Sequence, residues 1–86
     1  MPQITFVKNL LLMLARRFGG EELGRLTIRL RLTHGELAAM ILSTRESVTH
    51  ALSILRRRGT LTTEGGRIVI LDPTGLLEAA NAGTGF

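Results

Sequence analysis

The sequence predicts an α+β fold, mainly helical: three helices around one core, with a small antiparallel sheet that closes in a β-hairpin. Three observations carry that expectation. Two short apolar periodicities stand back to back in residues 32–59, LTHGELAAMILSTRESVTHALSILRRRG, and each follows its own helix-start motif. A longer helical periodicity precedes them at residues 4–18, and two strand-like runs around a Gly-Gly pair follow them. With 86 residues the chain is expected to form one domain, with a modest core and no room for a separate sensing or catalytic unit.

In the first helix, Val7, Leu10, Leu11, Leu14 and Phe18 share one face, and Gly19-Gly20 ends it. Phe6, Leu12 and Met13 widen the apolar arc, leaving surface for either the domain's own strands or another chain. Residues 19–24 read as a loop. In residues 25–32, Leu26, Ile28, Leu30 and Leu32 alternate with Arg25, Thr27, Arg29 and Arg31, the period of a half-buried strand with a cationic outer face.

Thr33-x-x-Glu36 is a capping box, in which hydroxyl and carboxylate each satisfy an orphaned backbone N–H, so the second helix starts there. Leu37, Met40 and Ile41 form its apolar side, and Ala38 lets a neighbouring helix approach. A second capping box, Ser43-x-x-Glu46, opens the third helix, which runs to Arg58 with Gly59 as its left-handed cap. Only Leu42 and its neighbours remain for the turn, and helices joined so tightly must cross steeply, which makes residues 33–58 a helix-turn-helix. Residues 60–71 then form a hairpin wing around Glu64-Gly65-Gly66. Asp72-Pro73 breaks the strand, a short helix is expected at 74–80, and 81–86 read as a frayed tail.

The third helix separates its residues by chemistry. Val48, Leu52 and Leu55 fall on one face, while Arg45, Glu46, Thr49, His50 and Ser53 fall on the other, a polar face that suits a DNA groove. A net charge of +4 and an isoelectric point near 11.4 favour a polyanionic partner, because neutralised phosphates release counterions. The chain has no cysteine, hence no disulfide, thiol nucleophile or thiolate metal site. His34 and His50 lack acidic or thiol company for a metal and read as surface imidazoles. Paired catalytic carboxylates and a glycine-rich phosphate loop are also missing, so no enzyme activity and no cofactor are expected. The run NLLLMLA is too short to span a bilayer and lacks a cleavage pattern behind it, so no membrane contact is expected.

These residues, from LLLMLARRFG through LRL-THGELAAMI and STRESVTHALSILRRRG to GGRIVILDPTGL, closely resemble the C-terminal winged helix-turn-helix domain of the CRP/FNR family of bacterial transcription regulators. The resemblance implies sequence-specific binding of double-stranded DNA in transcription regulation, in the cytoplasm, with residues 44–58 in the major groove. It assigns base reading to Arg45 and Glu46 and a phosphate contact to Ser47. The spacing agrees: Arg45 can donate twice to guanine O6 and N7, and Glu46 can accept from a cytosine amino group. Thr49 and His50 continue the reading face. Thr33, Ser43 and Thr44 supply short hydroxyls at helix starts for phosphate, and Arg57 and Arg67 supply charge.

The family's effector-sensing β-roll and long dimer helix are absent, so this chain is expected to be the output domain alone, binding no cyclic nucleotide. RNA polymerase and a second copy, paired through the N-terminal helix, complete the expected partners. The competing reading is a winged helix kept as a protein-interaction module with weak or no specific DNA binding. Three departures from the family pattern bear on the choice. Leu42 stands where the turn usually has Gly, His50 stands where Arg is more usual, and Thr60 replaces an apolar residue after the third helix.

Overall fold

The computed structural model describes residues 2–22, 25–74 and 76. The elements run α1 (Pro2–Phe18), β1 (Gly19–Glu22), β2 (Arg25–Ile28), α2 (His34–Met40), α3 (Arg45–Arg57), β3 (Leu61–Glu64) and β4 (Arg67–Ile70). Their strands form one antiparallel sheet in the order β1-β2-β4-β3. The three helices and sheet are the winged helix-turn-helix arrangement that the sequence predicts.

The core lies where the apolar periodicities converge. Val7, Leu10, Leu11 and Leu14 of α1 meet Leu37 and Ala38 of α2, and Val48, Ala51, Leu52 and Leu55 of α3. Ile28, Leu61, Ile68 and Ile70 close it from the sheet, and Leu76 adds a buried side chain beyond β4. Burying a leucine-sized side chain stabilises by about 1.5–3 kcal/mol, so this cluster holds the helices against the sheet.

Four expectations need correction. Residues 19–24 are not simply a loop, since Gly19–Glu22 forms β1 and pairs with β2 from Gly19↔Ile28 to Glu22↔Arg25. Glycine and glutamate have little strand propensity, and backbone pairing to β2 overrides it. The strand expected at 25–32 stops at Ile28, because β4 offers it partners only at Leu26↔Ile70 and Thr27↔Val69. Its outer face is not uniformly cationic: Thr27 is buried, as is Val69 directly opposite. Phe18 and Met40, placed inward by periodicity, are instead 40% and 49% exposed. The helix expected at 74–80 and the tail at 81–86 fall mostly outside the described residues, of which Pro73, Thr74 and Leu76 are helical.

The two ends of the helix-turn-helix use one backbone device. At the end of α3 the Gly59 N–H donates to the Arg56 carbonyl at 3.1 Å and the Thr60 N–H to the Leu55 carbonyl at 3.0 Å, with Gly59 at φ 76°. At the end of α2 the Leu42 N–H donates to the Ala39 carbonyl at 3.4 Å and the Ser43 N–H to the Ala38 carbonyl at 2.8 Å, with Leu42 at φ 53°. Both are Schellman caps, and both need a left-handed residue. Glycine takes that conformation without a Cβ clash, whereas Leu42 bears the clash with its side chain 96% exposed.

The wing follows from similar chemistry. Gly65 and Gly66, at φ 60° and 79°, supply the two positive angles of a tight turn between β3 and β4. At its base Thr60 is buried, and its carbonyl accepts from the Leu71 and Asp72 N–H groups at 2.9 and 3.1 Å. Thr60 thus ties the end of α3 to the end of β4 through its backbone, whatever its side chain contributes to packing.

Candidate nucleic-acid interface

The N-terminal turn of α3 is built around Thr44. Its hydroxyl oxygen accepts from the Ser47 N–H at 3.1 Å, and its O–H donates to Ser47 Oγ at 3.0 Å. The cap is therefore Thr44 rather than Ser43, one residue later than the Ser43-x-x-Glu46 spacing predicts. Ser47 takes the third helical position, so Glu46 has no part in the capping box expected of it. Ser47 Oγ thus accepts from Thr44 within the turn.

Release from capping leaves Glu46 projecting outward with Arg45, their side chains 78% and 73% exposed. Arg45 Nε and Glu46 Oε1 lie 3.9 Å apart, a loose pair that costs little to open at such exposure. The pair places a fork of donors beside a carboxylate acceptor at the N-terminal end of α3.

At α2 the expected capping box is complete: the Glu36 N–H donates to Thr33 Oγ1 at 3.1 Å, and the Thr33 N–H donates to Glu36 Oε1 at 2.8 Å. Those bonds hold the Glu36 carboxyl below its ordinary pKa. The next residue, His34, does more than a bland surface imidazole would. Its Nδ1 is hydrogen-bonded to Thr49 Oγ1 at 2.7 Å, linking α2 to the middle of α3, with donor and acceptor set by the ring tautomer. Part of Thr49's hydrogen-bonding capacity is thereby committed within the protein.

Thr33, His34, Arg45, Glu46, Thr49, His50 and Ser53 line one concave surface of about 660 Å³. It brings together every residue assigned to base reading. A second concavity of about 410 Å³ lies between Leu32, His34, Thr63, Gly65, Gly66 and Ile68, so His34 joins α3 to the wing. Arg31 completes this face: a Cβ placed on Gly66 would sit 3.7 Å from Arg31 Cδ, so the arginine stem runs along the wing turn. The sequence places Arg31 on a strand and reads His34 as a surface imidazole. Neither carries a local motif, because each acquires its role from a segment distant in sequence.

The charges proposed for phosphate are arranged less uniformly. Arg56 and Arg57 are exposed and extend the polar face of α3, with Arg57 about 18 Å along the helix from Arg45. Arg67 follows the wing turn, but its Nε is buried without a hydrogen-bond partner, so only part of its guanidinium is presented. Arg25, on the supposed cationic strand face, is engaged with Glu64 at 2.8 Å. Among the described residues no group of three metal-ligating side chains occurs, and no helix is long and apolar enough to cross a membrane.

Comparison with known proteins agrees with this fold. The Crp-like helix-turn-helix domain model matches residues 7–79. A CRP-like cAMP-activated global transcriptional regulator of Mycobacterium tuberculosis is 38% identical over 74 residues, covering 86% of this chain and 33% of the regulator. The transcriptional regulator SdrP of Thermus thermophilus is 42% identical over 62 residues, covering 72% of this chain and 30% of SdrP. The crystal structure of a CRP/FNR-family transcriptional regulator from Thermus thermophilus superimposes with a TM-score of 0.79 at 37% identity, over 91% of this chain and 40% of that one. The chain thus spans about a third of the length of the curated relatives it matches.

Proposed function

This chain belongs to the family of Crp-like helix-turn-helix domains, and on that premise we propose that it reads double-stranded DNA sequence-specifically as the output part of a cytoplasmic transcription regulator. The observation that carries the reading is the first turn of α3, where Arg45 and Glu46 project outward as a loose, exposed pair because Thr44 alone caps the helix. In this reading α3 enters the major groove, Arg45 donates to a guanine, and Glu46 accepts from a cytosine. His50 offers a third, weaker contact without an arginine's fork. Thr49 is restricted by His34 and contributes less than an unencumbered hydroxyl would.

The Ser47 hydroxyl, the α3 N-terminus and Thr33 lie around that turn, where short donors suit phosphate oxygens. Arg31, Arg57 and the exposed part of Arg67 add attraction that does not depend on sequence. A single copy reads one short half-site, so tight binding calls for two copies on one face of the duplex about one turn apart. Contact with RNA polymerase would convert occupancy into regulation. No step of this reading requires the chain itself to hold an effector.

Selection of bound sequences from a random duplex pool tests the proposal. Enrichment of a G·C-containing half-site is expected, with affinity falling linearly in log–log plots against salt. Absence of binding even at low salt would overturn it.

A further inference from the structure

The helix-turn-helix accounts for one face of the molecule, and a separate apolar groove lies elsewhere on it. Among the described residues, Phe6, Met13, Phe18 and Met40 are large apolar side chains 53%, 43%, 40% and 49% exposed, and all four line one groove of about 590 Å³ between α1 and α2. Leu10 and Leu14 form its floor as part of the core. Isolated exposed apolar residues are ordinary, but four converging on one concavity mark an interaction surface. The groove shares no lining residue with the two concavities of the DNA-facing side, so it can be filled while that side is engaged.

Charge identifies the occupant. Helix α1 contains no carboxylate, and its last turn carries Arg16 and Arg17, both exposed, with Arg17 on the groove itself. Among the described residues neither arginine is paired with an acidic side chain. Two copies meeting through this groove would bring like charges together with no carboxylate among its lining residues to receive either guanidinium, an arrangement that opposes association. A helix of opposite charge relieves both arginines while its apolar stripe covers the phenylalanine and methionine side chains.

We propose that the groove between α1 and α2 docks an amphipathic helix of another polypeptide, its apolar side chains at helical spacing seated between Phe6, Met13, Phe18 and Met40 and its carboxylates facing Arg16 and Arg17. Methionine's flexible thioether side chain suits such a site, since it adapts to the shape of the helix it receives.

The test uses the full chain and two fluorescent amphipathic peptides of about 18 residues, long enough to hold helical structure. They share a leucine stripe and differ only in carrying Glu or Lys along its flank. Saturable anisotropy is expected with the Glu peptide, weakened about tenfold or more in the Lys peptide and in the Met13→Asp chain. Arg17→Glu, a change at an exposed position, should reverse the preference between the peptides. The preference of both variants for the selected over a random duplex should remain as in the parent chain, which separates failure of this proposal from failure of the DNA reading. Equal binding of the two peptides overturns the proposal, as does no binding of the Glu peptide. Concentration-dependent dimerisation in sedimentation that Met13→Asp abolishes would instead assign the groove to a second copy.

Discussion

Replacing Leu42 by glycine is expected to stabilise the domain, against the usual direction of a leucine substitution. Leu42 closes a Schellman cap at φ 53°, and its side chain, 96% exposed, buries nothing that would be lost. A left-handed non-glycine residue costs about 1–2 kcal/mol. Glycine returns about 0.4–1 kcal/mol of that through the greater freedom of the unfolded chain. The difference is a gain of about 0.5–1 kcal/mol, or about 3–6 °C in Tm for a domain of this size. Thermal melting followed by circular dichroism measures it, with Leu42→Ala as the control because alanine keeps the Cβ and therefore the clash. An unchanged or lower Tm for Leu42→Gly would refute the strain argument. So would an equal gain in Leu42→Ala, because removal of exposed apolar surface would then be the cause.

Three further outcomes follow from the caps and the wing. Thr44→Ala should cost about 1 kcal/mol in chemical denaturation and weaken DNA binding, since the hydroxyl holds both the Ser47 N–H and its side chain; an unaltered midpoint would contradict Thr44 as the cap. Glu36 has a folded pKa below its ordinary 4.5, so its stabilising contribution is full above that value and is lost as the pH falls through it and then through the lowered one. Glu36→Gln keeps the accepting oxygen without titrating, so the Tm gap between parent and variant at neutral pH should close in acid; a pH-independent gap would remove the capping carboxylate as its source. Gly66→Val forces a β-branched residue to φ 79° and should destabilise the wing by about 1–2 kcal/mol, read as faster amide exchange across β3 and β4 than in the parent chain.

What was legible in the sequence depended on how local each interaction is. The capping box at Thr33 and Glu36, the left-handed Gly59 and the Gly65-Gly66 turn are written within a few residues, and all three stand as predicted. Leu42 is also readable, because it stands where the family's turn usually has Gly, and it takes the left-handed conformation that position requires. The α3 cap was misplaced by one position because Ser43 and Thr44 are both good caps; the choice was decided by Ser43 donating its N–H into the α2 terminus. That single residue matters to the site, since it frees Glu46 from the capping box.

Less local features were missed. Strand β1 has no strand-forming residues and exists through its pairing with β2, and the extended pattern of residues 29–32 found no strand to pair with. Periodicity placed Phe18 and Met40 inward because it counts apolar residues without counting the core they must fit. The link between His34 and Thr49 crosses 15 positions, and the approach of Arg31 to Gly66 crosses more than twice that, so no window along the chain could show either. The four residues proposed to read bases, by contrast, are visible as a face of one helix, and the structure gathers all four on one surface.

The central claim is that Arg45 reads a base while Arg57 attracts the backbone. It is tested most directly by titrating the parent chain, Arg45→Ala and Arg57→Ala against the selected duplex and a random duplex at one fixed salt concentration. Arg45→Ala should lose about 1–3 kcal/mol on the selected duplex and little on the random one, whereas Arg57→Ala should weaken both equally. Equal losses on both duplexes for Arg45→Ala would contradict the account.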